Sequence, residues 1–166
     1  MDKDHIKRMY REANGYIDDS GILSRNLDTK SDSAALLKIL GFEILLKCSL
    51  LVSNQKPKRT HNYYELWLCL PGNAQKKIIK NAESRMHDIN DLSNIEDLLK
   101  NYQFVFEKAR YYYEFYEGKT LEEQHERGVL WAKKGSPLEE AKVRYFPDEL
   151  ECLIYGLTEY IKEKAF

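Results

Sequence analysis

Proline and glycine are scarce, at four and eight residues in a chain of 166. So little punctuation argues against many short strands and for long helices. The three cysteines, Cys48, Cys69 and Cys152, are odd in number, form no CxxC and offer no zinc spacing. That excludes a disulfide framework and a structural zinc site, and leaves free thiols in apolar stretches, as expected in a reducing compartment. The most apolar window, Ala34 to Val52, is interrupted by Lys38, Glu43 and Lys47. A membrane span of that length rarely holds three charges. Met1-Asp2-Lys3-Asp4-His5 lacks the apolar run of a signal peptide, so a cytoplasmic protein without a membrane partner is expected. Net charge is only −1, which excludes a uniformly basic nucleic-acid coat but not a local basic patch. A Gly-rich phosphate loop, GxSxG and HExxH are all missing, and neither a cofactor nor a metal is expected.

What is present is helical periodicity and aromatic bulk. Twelve of the residues are tyrosine, and aromatics make up 12%, which opposes disorder. Residues 3–19 read as a polar first helix with Ile6, Met9, Tyr10, Ala13 and Ile17 as its apolar stripe. A loop is expected from Ser20-Gly21 to Lys30. Ser31 or Asp32 then caps a helix to about Ser53 whose apolar residues cover nearly its whole circumference, the mark of a central helix. A basic loop, Lys56, Lys58 and Arg59, leads to a short helix from His61 to Leu70, with Thr60 as its cap. Pro71-Gly72 ends it, and a polar helix follows to about Met86. Asn94 caps a fifth helix to Glu117, with Leu98, Tyr102, Val105, Ala109, Tyr112 and Tyr116 as a core seam. Residues 118–146 read as a loop with a partial helix, and Pro147 opens the last helix. The expectation is one all-α domain over 1–166, an up-and-down helical bundle of four main helices plus short extra helices.

Several polar groups interrupt this pattern. Arg110 and Glu114 are four apart in Arg110-Tyr111-Tyr112-Tyr113-Glu114, so an α-helix would put them on one face. They form either a solvated pair or a cation held by carboxylates for a phosphate or a developing negative charge. Glu43 and Lys47 are likewise four apart in an apolar helix, as a thin solvent stripe or as part of a polar groove. His61 is a candidate proton donor or acceptor, and with Glu65 alone it is two ligands short of a metal site. Tyr111 and Tyr113 flank the seam and are the candidates for stacking on bases.

In order, these pieces are Phe42-Glu43-Ile44-Leu45-Leu46-Lys47, a Lys/Thr-rich turn, a histidine-headed segment ending Leu66-Trp67-Leu68-Cys69-Leu70-Pro71, the Arg110–Glu114 helix and Pro147-Asp148-Glu149-Leu150. Over residues 34–165 this resembles the HEPN superfamily of prokaryotic helical domains, in its branch with an Arg-Tyr-x-Tyr-Glu signature. The resemblance implies a homodimer with a polar cleft, and for many members metal-independent RNA cleavage in toxin–antitoxin, phage-defence or CRISPR systems. There an Arg steadies the phosphate and a His five to seven positions later moves a proton. Here those positions are Phe115, Tyr116 and Glu117. The expected function is therefore binding of a nucleotide or RNA in a dimer cleft. Arg110 would engage phosphate, Glu114 and Glu43 would orient it, and Lys47 and His61 would line the cleft. The alternatives are an RNase using Arg110 with His61 or Glu114, and a protein-binding module such as an antitoxin or immunity protein with a cognate protein partner.

Overall fold

The computed structural model describes residues 2–26, 32–85 and 91–166. It is all-α, 77% helical, with no strand among the described residues. Helix α1 is Lys3–Asn26 and α2 is Asp32–Val52. They lie antiparallel: the Cys48 thiol reaches the Ile6 carbonyl, while Gly41 meets Ala13 and Ile17. The expected apolar stripe of α1 faces this contact, with Ile6 and Ala13 fully buried. Helix α1 runs past the loop expected from residue 20. Its Ser24 hydroxyl and Asn26 amide donate to the carbonyls of Ser20 and Ile22, so polar side chains that often end helices here satisfy this one. Ser31, a possible cap of α2, lies outside the described residues.

Helix α2 is buried around most of its circumference and touches α1 and the helices over Tyr63–Leu68, Ile95–Glu107 and Pro147–Ala165, which makes it the central helix. Helix α3 spans Tyr63–Leu68 and α4 spans Gly72–Glu83. Helix α5 covers Ile95–Glu107 under an Asn94 cap whose side chain accepts from the Asp97 amide. Helix α7 covers Pro147–Ala165 with Pro147 in its first turn, and Leu150, Leu153, Ile154, Leu157 and Ile161 are all buried.

Helix α5 does not continue to Glu117. It ends at Lys108, and Ala109–Tyr116 forms a 3-10 segment with a kink at Tyr111, at φ −109° and ψ 44°. The expected seam is buried through Val105 and then leaves the core, so Tyr112 is exposed rather than packed. In residues 118–146, expected as a loop with a partial helix, the helical part is longer and more regular than that expectation. They hold a regular helix, α6, over Leu121–Lys133, closed at its start by a Thr120–Glu123 capping box. Gly135, at φ +85°, ends it in the left-handed region that glycine adopts without strain. No residue of α6 is buried. Residues 141–146 return along the core, where Tyr145 packs edge-on to Tyr102 and the Tyr102 hydroxyl donates to the Phe146 carbonyl.

Helices α4 and α7 pack so closely that an added Cβ at Gly156 would sit 2.4 Å from the Ile78 carbonyl oxygen and 3.1 Å from Ala82 Cβ. Gly156→Ala is therefore expected to destabilise the protein by about 1–3 kcal/mol, the usual cost of overpacking. Denaturant unfolding measures it; an unchanged midpoint would mean that this helix pair gives way freely.

Candidate functional site

Glu43 is the one buried carboxylate among the described residues, 3% exposed in the middle of α2. A lone buried charge costs several kcal/mol, so it needs partners. Two supply them. Lys47 Nζ donates to Glu43 Oε1 at 2.7 Å, one turn along the same helix. His61 Nδ1 lies 2.9 Å from Oε2 and 3.1 Å from Oε1. An ionised carboxylate only accepts, so Nδ1 carries the proton in this contact and Nε2 is left as the ring's free nitrogen. The His61 side chain is 55% exposed. One end of the imidazole is thus fixed to a buried carboxylate and the other faces outward, the arrangement that orients a histidine for proton transfer.

His61 can do this because it is not in a helix. The expected helix start at His61 moves to Tyr63, and Asn62 rather than Thr60 is the cap, its side chain accepting from the Glu65 amide. Glu65, expected one turn from His61, pairs instead with Lys58. Thr60 accepts from the Asn62 amide and shapes the turn that swings His61 towards α2.

Arg110 approaches the same region from the 3-10 segment that follows α5. The His61 ring lies 5.2 Å from the Phe106 ring, and the Arg110 guanidinium is 5.3 Å from that ring and 5.0 Å from Tyr111. Phe106 is therefore shared by both groups. Tyr63 links them electrostatically. Its hydroxyl is buried without a partner at hydrogen-bond geometry. Burial first, and then the facing Glu43 charge, hold its proton well above the ordinary tyrosine range; Glu107 adds to this and Arg110 opposes it.

The structure thus joins His61, Glu43 and Lys47 directly and brings Arg110 beside them. Among the described residues it does not seat Arg110 on a carboxylate. Glu43 is taken by Lys47 and His61, and Arg110 forms no ion pair with Glu114. The 3-10 geometry explains the second difference, because it aligns residues three apart and turns residues four apart away from each other. Tyr111 and Tyr113 are exposed and pack edge-to-face at 6.3 Å, which leaves both accessible. Tyr112, expected in the core, instead bonds its hydroxyl to that of Tyr116 at 3.0 Å. Phe106 and Tyr63 were missed in the sequence reading. The signal was their place: an aromatic four residues before Arg110 and another two after His61.

The cysteines stand apart. Cys48 and Cys152 are buried and Cys69 half-buried. Burial pushes the Cys48 thiol up to about 11, so it is no nucleophile at neutral pH. Among the described residues no three His, Cys, Asp or Glu side chains converge to hold a metal ion, and no helix is long and apolar enough to cross a membrane. In comparisons with protein-family models, curated proteins and solved structures, the chain matches none.

The Glu43–Lys47 pair has a measurable signature. Lys47→Met removes one partner of a buried carboxylate and should cost about 3–5 kcal/mol, whereas Glu43→Leu with Lys47→Met should recover most of that loss. Urea unfolding of both variants decides it, and a double variant no more stable than the single would refute this.

Proposed function

We propose that the chain is a HEPN-like domain that binds the phosphate of RNA or of a nucleotide where His61 and Arg110 meet over Phe106. The observation that carries this reading is the pairing of an outward-facing, carboxylate-oriented histidine with a guanidinium held on the same aromatic ring. Arg110 offers fixed donors to phosphate oxygens, and its aromatic seat leaves those donors unspent on a carboxylate. Lys47, paired with Glu43, adds positive charge nearby. The exposed Lys56 and Arg59 can follow a phosphate backbone into the site. The reading keeps the homodimer cleft, the cytoplasmic setting and the defence or toxin–antitoxin context that the resemblance implies.

A second reading, metal-independent RNA cleavage, is favoured by the His61–Glu43 contact. With Nδ1–H donated to Glu43, Nε2 can take the proton of an RNA 2'-hydroxyl. That oxygen attacks the adjacent phosphorus and the bond to the 5'-oxygen breaks. Arg110 steadies the charge that builds on the phosphoryl oxygens, and the 5'-oxygen leaves with a proton from solvent or from the imidazolium. The product carries a 2',3'-cyclic phosphate. Here His61 takes the role that the resemblance gives to a histidine after the Arg.

Purified protein and the variants Arg110→Ala and His61→Ala, incubated in EDTA with end-labelled single-stranded RNA, separate the two readings. Binding is expected to fall at least tenfold in Arg110→Ala, with folding unchanged by circular dichroism. Cleavage lost in His61→Ala by about a hundredfold or more, with binding retained, establishes the RNase. Wild-type binding without cleavage leaves the binding domain, and equal binding by wild type and Arg110→Ala would reject both.

A further inference from the structure

Beside Arg110 lies a cavity of about 310 Å³ that the phosphate-binding reading does not use. Its walls are apolar and aromatic: Leu36 from α2, Val105 from α5, Tyr112 from the 3-10 segment, and Val143 and Tyr145 from the returning strand of chain. Two charged residues line it, Asp32 and Arg110. The volume falls at the lower end of small-molecule sites, which are mostly apolar with a few polar groups that fix orientation. Asp32 makes no ion pair among the described residues. Its charge is close enough to reach the Tyr112 hydroxyl, whose proton is held mainly by the Tyr116 bond and burial and in smaller part by Asp32, up to about 12.

We propose that this cavity holds a guanine base, with Asp32 accepting from its N1–H and exocyclic amino group while Arg110 meets the phosphate of the same nucleotide. The inference rests on the phosphate reading and deepens it by naming the base. The argument is one of complementarity. A carboxylate offers two acceptor oxygens side by side, and guanine alone among the common bases presents two adjacent donors on its pairing edge. Adenine and cytosine set a ring-nitrogen acceptor beside their single amino group, and uracil flanks its one N–H with carbonyl oxygens. Each would put a lone pair against Asp32. The flat apolar body suits Tyr112 and Tyr145, since base–aromatic stacking works for any π-face and leaves Asp32 to choose. Distance favours the same assignment. Asp32 and Glu43 are eleven residues apart on α2, roughly 16 Å along its axis. Arg110 lines the cavity of Asp32 and sits on Phe106, the ring that His61 also meets. A base at Asp32 therefore places its phosphate at Arg110, with the His61 end open to the next nucleotide of an RNA.

The test is calorimetric titration of the full chain with GMP, UMP, guanosine and inorganic phosphate, then with a uridine hexamer and the same hexamer carrying one guanosine. GMP is expected to bind roughly ten- to a hundredfold tighter than UMP, the usual worth of a bidentate base contact. Asp32→Asn should erase that preference while leaving phosphate binding unchanged. Val105→Phe, which fills the cavity from another wall, should do the same, so a folding defect in one variant does not decide the matter. A preference for the guanosine-bearing hexamer as well as for GMP makes RNA the ligand; a preference confined to GMP makes it a free nucleotide, and both support the pocket. Guanosine binding that depends on Asp32, with no gain from phosphate and no loss in Arg110→Ala, would uphold the base pocket and refute the phosphate reading. Equal binding of GMP and UMP, or guanosine binding indifferent to Asp32, would overturn the proposal.

Discussion

Glu43 sets the terms for everything around it. A carboxylate in the middle of the central apolar helix is tolerable only if its charge is answered at once. Lys47 answers from the next turn, and His61 is drawn in from outside the helix. That second demand shapes the chain locally. The segment before α3 stays unwound, Asn62 takes over the cap, and Glu65 turns away to Lys58. An aliphatic residue at position 43 would pack well and would release His61 to solvent. The buried charge is costly for stability and useful for orientation, and orientation is what a site of proton transfer or phosphate binding requires.

The break at Lys108 is the other constraint. Had α5 run on to Glu117, Tyr112 would have entered the core and Arg110 would have faced Glu114. The 3-10 segment instead carries the apolar seam out of the bundle. It leaves a guanidinium seated on Phe106 and Tyr111, with its donors uncommitted to a carboxylate, and opens the cavity beneath Tyr112 and Tyr145. Aromatic rings serve here as neutral supports for a cation.

How far the sequence foretold this depends on whether local pattern or tertiary contact decides each piece. The all-round apolar character of α2, the Asn94 cap and Pro147 at the head of α7 are local signals, and the structure follows each of them. The Glu43–Lys47 pair was legible from spacing alone, since four residues in a helix leave one geometry. The end of α5 was not, because the periodicity of Leu98, Tyr102, Val105, Ala109 and Tyr112 continues through the break. Only three-dimensional packing shows that the core ends at Val105. Helix α6 carried a readable sign, Thr120-x-x-Glu123, outweighed in the sequence by charge and by Gly135-Ser136-Pro137. His61 meeting Glu43 across 18 positions is a tertiary event, for which the sequence could supply only the candidates.

Arg110 then ties the two constraints together. It answers to the Glu43 region through Phe106 and Tyr63, and to the Asp32 cavity through its place on the 3-10 segment. On the proposed reading, a phosphate on its guanidinium would gain from both neighbourhoods, the His61–Glu43 pair and the Asp32 cavity. If the segment rewound into α-helix, Arg110 would turn towards Glu114 and lose both at once. Ala109 packs against the core and Phe115 stacks on Phe104, while Tyr112 and Tyr113 are exposed. The side chain on which the functional reading depends is thus held by the 3-10 segment, where no residue is buried, and not by the partly buried helix α5 before it.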